Sequence, residues 1–176
     1  MDNYYKYLPV STEDREWGLQ LLNAGCQKYL PGGEYPDRHH PSHHYFRWDK
    51  GRILNDYALI YITEGKGIFN SEKSGDIAIE GGSVIIIFPN ERHRYRPDPD
   101  TGWKEYWFGF NGPIISNIIE KNFFEATHPV FKIGYHEMIL NLFVQIIEAI
   151  KSEKPGYQPL VCGAAMYILG QLHTSA

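Results

Sequence analysis

Two cysteines, Cys26 and Cys162, are all that the 176 residues contain, and each lies inside an apolar run far from the other. That pair excludes a disulfide framework and a cysteine zinc site, and it reads as two buried free thiols of a reducing compartment. No stretch approaches the roughly 20 apolar residues that a membrane-spanning helix requires, and Met1-Asp2-Asn3-Tyr4-Tyr5-Lys6-Tyr7 lacks the apolar core of a secretion signal. Both absences predict a cytoplasmic protein without a membrane partner. Positive charge is scarce too: 17 Lys and Arg stand against 21 Asp and Glu, a formal net charge of −4. No global basic field is available to hold a phosphate backbone, so this segment does not read as a DNA binder by itself. Internal repeats and low-complexity tracts are missing. So are nucleophile elbows, phosphate loops and zinc-protease helices, which leaves catalysis little support.

What is present falls into two halves. From residue 17 to about 110 short apolar runs alternate with turn residues, and the expected strands are 17–29, 57–63, 66–71, 76–80, 83–88 and 103–110. Glu64-Gly65-Lys66-Gly67, Ser74-Gly75-Asp76, Glu80-Gly81-Gly82 and Pro89-Asn90-Glu91 supply the turns between them. Such spacing indicates an antiparallel sandwich or barrel. Val84-Ile85-Ile86-Ile87-Phe88 is apolar on both faces and reads as a central strand covered on its outer side. From Pro113 the period becomes helical. A short helix is expected over 113–123, with Pro113 in the first turn. A longer one is expected over 135–152, carrying Ile139, Leu140, Phe143, Ile146, Ile147 and Ile150, and another from about 158 with Leu160, Val161, Ala164, Ala165, Ile168, Leu169 and Leu172. The pair forms a helical hairpin. Part of its apolar surface packs on the chain's own sheet, and the remainder is available to a second copy.

The strand around Trp103-Lys104-Glu105-Tyr106-Trp107-Phe108 carries the chemistry. Alternation sends Trp103, Glu105 and Trp107 to one face and Lys104, Tyr106 and Phe108 to the other. An indole offers a flat apolar wall and a carboxylate accepts hydroxyl donors, the combination that suits a sugar. Plain core packing accounts for the tryptophans equally well, but a carboxylate on an inward face needs a reason.

Three segments in order, Tyr57-Ala58-Leu59-Ile60-Tyr61-Ile62-Thr63-Glu64-Gly65-Lys66-Gly67, Pro89-Asn90-Glu91-Arg92-His93-Arg94-Tyr95 and Gly102-Trp103-Lys104-Glu105-Tyr106-Trp107-Phe108-Gly109-Phe110, resemble the N-terminal effector-binding and dimerisation domain of AraC-type transcription regulators. The resemblance implies a mainly β fold with C-terminal helices: a cupin-like jelly-roll barrel with an N-terminal arm over 1–112, then an α-helical hairpin used for dimerisation over 113–176. It implies a small-molecule effector, often a carbohydrate, a homodimer, and DNA contact only through a C-terminal helix-turn-helix domain missing from these residues. By position, the sugar contacts of an arabinose-responsive member fall on Tyr95, Glu105 and Trp107, with Glu105 standing where the family pattern has histidine. A basic residue before the first barrel strand also touches sugar there, and Arg52 and Lys50, then Arg47, are the nearest candidates. Trp103 joins them from the residue pattern. The segment from Tyr4 to Ser11 has the character of an arm that covers the filled pocket.

Cupin barrels often hold metals, but the histidine triad is incomplete: none lies between His44 and His93, so no metal or other cofactor is expected. His93 reads as a turn residue that anchors the strand of Tyr95. His39-His40-Pro41-Ser42-His43-His44 reads as a solvated loop, with chelation the alternative. The expected function is sensing, not catalysis. The rivals are a metal-dependent cupin enzyme and a stand-alone carbohydrate-binding module.

Overall fold

Strand β3 (Tyr57–Ser71) serves two sheets at once. Its first half pairs with β5 (Ser83–Ile87) and β7 (Trp103–Asn111), and its second half with β4 (Gly75–Glu80) and β6 (His93–Pro97). The sequence pattern divided this stretch into two strands around a turn at Glu64-Gly65. The backbone instead bends without breaking, through a register shift between Ile62 and Glu64 and a Gly65 at φ 95°, because a bulge lets a strand change sheets while keeping its ladder on either side. The computed structural model describes residues 1–35 and 48–175. Within them, the larger sheet runs β1-β2-β7-β3-β5-β8, with β1 at Tyr4–Tyr7, β2 at Gln20–Tyr29 and β8 at Val130–Lys132. This is the β-rich, cupin-like jelly roll with C-terminal helices that the sequence led us to expect.

The larger sheet is buried on both faces. Ile60, Ile62, Ile85, Ile87, Trp103 and Trp107 turn inward to meet Phe69, Ile79 and Tyr95 from the smaller sheet. Leu59, Tyr61, Val84, Ile86, Tyr106, Phe108 and Phe110 turn outward beneath the helices α3 (Glu137–Ser152) and α4 (Tyr157–Ser175). The continuous apolar run of β5 is thereby explained, since alternate residues enter different cores. Helix α3 buries Ile139, Phe143, Ile146, Ile147 and Ile150, as its spacing required.

Three local readings need correction. The strand expected from Trp17 begins only at Gln20, because Ser11 and Asp14 form a reciprocal capping box that starts a short helix, α1 (Thr12–Glu16), and leaves Trp17 at its end, 59% exposed. Helix α2 (Pro113–Glu120) starts at Pro113 as expected but stops short of 123, where Asn122 turns to a positive φ. On α4 the apolar stripe is incomplete: Leu160 faces outward, 68% exposed, while Gln158 and Cys162 are buried in its place.

Gln158 is buried for an identifiable reason. Strand β2 has a register shift between Leu21 and Asn23. The Leu21 N–H donates to Gln158 Oε1 (3.1 Å), and Gln158 Nε2 donates back to the Leu21 carbonyl (2.8 Å). The amide thus stands in for an adjoining strand. Replacing it with an apolar residue orphans two buried backbone groups, each worth about 1–3 kcal/mol. We expect Gln158→Leu to lower unfolding stability by about 2–4 kcal/mol in urea titrations, with the far-UV circular dichroism unchanged. A loss below about 0.5 kcal/mol would show that water replaces the amide.

Candidate ligand-binding site

Between the two sheets lies a cavity of about 390 Å³, lined by residues of β2, β3, β6 and β7 and by the segment leading into β3. Glu105 and Trp107 reach it from β7, Tyr95 from β6, and Arg52 from the segment before β3. Four of the six residues singled out from sequence therefore meet on one cavity. The other two do not line it. Trp103 lies beneath the wall, fully buried, and its indole Nε1–H donates to Glu105 Oε2 at 3.0 Å. It orients the acid and does not itself reach the cavity. Lys50 is exposed and does not line the cavity either; its carbonyl accepts from Arg92 Nε. Its place beside Arg52 in sequence misled, because the chain turns at Gly51 (φ 67°) and only Arg52 joins β6. Arg47 and the histidine cluster 39–44 lie outside the described residues.

The position of Arg52 is built from the backbone outward. Its N–H and C=O exchange hydrogen bonds with those of His93 at 2.9 and 3.0 Å, a one-residue strand pairing. The preceding Trp48 ring is approached by two guanidinium groups, Arg94 at 4.6 Å and Arg96 at 4.1 Å from its centre, and Arg94 donates to the Trp48 carbonyl at 3.0 Å. The Arg52 side chain then donates from Nε to His93 Nε2 (3.3 Å) and from Nη2 to the Tyr95 hydroxyl (2.5 Å). For Nε2 to accept, His93 must carry its proton on Nδ1, which faces the Glu91 carbonyl at 3.2 Å. Burial, and then the charge of Arg52, pull His93 down to about 3, so the ring stays neutral. Both ring nitrogens are in use, and His93 does anchor the Tyr95 strand. Among the described residues no three His, Cys, Asp or Glu side chains converge as metal ligands would.

Glu105 is the unusual group. It is 5% exposed, and burial raises it to about 7 from 4.5, against the Trp103 hydrogen bond and the field of Arg52. At neutral pH it is divided between acid and carboxylate. Burial likewise pushes Tyr95 up to about 12. Sequence reasoning did not find Tyr29, Tyr35, Asn23, Asp56 and Ile60, which also line the cavity. Ile60 was within reach, since it alternates with Leu59 and Tyr61 along β3. Tyr35 follows β2 in an irregular segment with no periodicity to read.

Fold and cavity define a jelly-roll module with an aromatic and polar chamber between its sheets. Residues 30–169 match the AraC-like ligand binding domain, and the chain belongs to that family. It is therefore an effector-binding domain of the regulator type. It is 33% identical over 66 residues to the raffinose operon transcriptional regulatory protein RafR of Pediococcus pentosaceus; the match covers 37% of this chain and 24% of that protein, so it spans about a quarter of the relative's length. Similar solved structures include ToxT from Vibrio cholerae O395 bound to a methylnaphthalenyl butenoic acid (TM-score 0.47, 11% identity, 72% of this chain and 50% of that one). Others are YhaK from Escherichia coli (TM-score 0.44, 10% identity, 62% and 44%) and the Cnp3 cupin domain from Schizosaccharomyces pombe (TM-score 0.40, 12% identity, 69% and 75%). No helix among the described residues is long and apolar enough to cross a membrane.

The Glu105 shift sets a stability test. The folded chain holds this proton more tightly than the unfolded chain, so stability falls as pH rises from about 4.5 to about 7 and the cost is constant above that. The full cost is on the order of 3 kcal/mol. Glu105→Gln is neutral throughout, so it should be more stable than wild type by about that amount at pH 8 and nearly equal to it at pH 4. The His93 slope, which destabilises on acidification from 6.5 toward 3, cancels in the difference. An equal difference at both pH values would mean that Glu105 does not titrate in this window.

Proposed function

We propose that this chain is the effector-sensing and dimerising part of an AraC-type transcription regulator, and that its barrel takes a sugar or sugar derivative. One observation carries the reading: Trp107 and Glu105, two residues apart on one strand face, line the same cavity as Tyr95 and Arg52. Trp107 offers a stacking wall for the C–H face of a sugar ring, Glu105 and Tyr95 hydrogen-bond hydroxyls, and Arg52 donates at the cavity side. The relative that regulates a raffinose operon supports a carbohydrate. The chain acts by binding, not turnover, and works in the cytoplasm. DNA contact belongs to a helix-turn-helix part outside these residues.

Occupancy is transmitted as a population shift, which requires that the ligand contact one arrangement better than another. Strand β1 offers a route. Tyr7 lines the cavity, while Lys6, on the opposite face, pairs with Glu153 at the end of α3 (2.8 Å). The arm expected from sequence is thus paired to β2 and touches both cavity and helices. The second copy docks on α4, whose Leu160, Gly163, Tyr167 and Gly170 form an exposed stripe at three- and four-residue steps. Glycines in that stripe admit close helix approach.

Calorimetry across raffinose, its component sugars and other neutral mono- and oligosaccharides should find a ligand whose affinity falls at least about tenfold in Trp107→Ala, with Trp107→Phe intermediate and both variants folded. An unchanged affinity would remove the stacking site. In sedimentation the wild type should run as a dimer and the double variant Leu160→Glu, Tyr167→Glu as a monomer. A wild-type monomer mass at all concentrations would remove the dimer.

A further inference from the structure

We propose that the cavity selects an uncharged polyol by presenting Glu105 to it as the neutral acid, so that a proton is taken up from solvent when the ligand binds. The inference rests on the sugar reading above and fixes the charge class of that sugar. Its basis is the way Glu105 is held. Oε2 accepts from Trp103 Nε1–H at 3.0 Å, and Oε1 has no hydrogen-bond partner among the described residues, although the side chain is 95% buried on the cavity wall. No described cation lies within ion-pair distance of it.

The groups around Glu105 come from every neighbouring element. Arg52 faces it from the segment before β3, but its Nε and Nη2 are engaged by His93 and Tyr95. Tyr95 from β6, Tyr29 from β2 and Tyr35 from the segment after β2 are phenols; burial keeps the protons of Tyr95 and Tyr35 in place. His93, behind Arg52, is neutral, and Asp56 lies elsewhere on the cavity lining. Among the described residues Arg52 is the one formal positive charge on the lining, and it acts on the acid through its field. The Trp103 hydrogen bond and the field of Arg52 favour the carboxylate form, and an unfilled cavity leaves Oε1 open to solvent as well. A ligand that fills the chamber excludes solvent from Glu105, and an uncharged ligand brings no cation to replace it, so the acid form prevails. With Oε2 occupied as an acceptor, the proton resides on Oε1 and is donated to a ligand oxygen. A ligand with an ammonium group would do the reverse, holding the carboxylate and releasing the proton.

The test is isothermal calorimetry of wild type against the neutral sugars, glucosamine and galacturonate from pH 6 to pH 9, in buffers of different ionisation heat. The expected result is a neutral binder whose affinity falls about a hundredfold across that range, with roughly half a proton taken up at pH 7. In Glu105→Gln the slope disappears. Trp103→Phe, which deletes the one donor to Glu105 among the described residues, moves the fall to higher pH and provides the same readout should Glu105→Gln not fold. A neutral sugar bound with a flat or rising profile, or a preference for glucosamine or galacturonate, overturns the proposal and leaves the sugar reading standing. A folded protein that binds none of the three classes removes the sugar reading, and this proposal with it.

Discussion

Burial of β7 on both faces is the constraint from which the rest of this structure follows. Side chains alternate along a strand, so successive residues are assigned to different environments: Tyr106, Phe108 and Phe110 to the core under the helices, Trp103, Glu105 and Trp107 to the barrel interior. A one-residue slip would place a carboxylate beside Phe143, where Tyr106 and Phe108 now pack, and remove the Trp107 indole from the cavity wall. The register is held by pairing on both sides, with β2 and with β3. Gly67 makes room for the Trp103 ring and Gly65 for the Gly102 carbonyl and the Trp103 Cα, since a Cβ at either would collide with those atoms. The helices complete the scheme, because without α3 and α4 the outer face of the sheet would lie open to water.

Inside the barrel the polar groups form two units with opposite character. Arg52, His93 and Tyr95 make a fixed network, in which a neutral imidazole accepts from the guanidinium and so lets a cation sit at the edge of the chamber. Glu105 and Trp103 make the other, an acid with one oxygen satisfied and the second turned to the cavity. Arg52 and Glu105 are coupled by field and not by contact, which leaves the acid close to neutrality in its titration. A ligand entering between the two units meets a donor side and an adjustable side.

Much of this was legible in residue order. The period of two gave the face shared by Trp103, Glu105 and Trp107, the double burial of Val84 to Ile87, and the helix stripe from Ile139 to Ile150. Other features were hidden because they depend on groups distant in sequence. Gln158 reads as a polar residue at a helix start, and its function exists only where it meets the backbone of Leu21, 137 residues away. Lys50 and Arg52 look interchangeable until the pairing of Arg52 with His93 distinguishes them. The turn read at Glu64-Gly65 was real as a bend, but whether a glycine ends a strand or bends it is decided by the neighbours available to pair on either side.

The amino-acid order by itself determined the class of fold, the two-sided character of its central strands, and the family, since these rest on local periodicity and on segments read consecutively. Tertiary structure alone decided which polar residues converge and in what protonation state. Trp103 became a support for Glu105, His93 a neutral acceptor for Arg52, and Tyr7 a wall of the cavity, because each role depends on distances between strands and on exclusion of water, and neither is written in the spacing of residues along the chain.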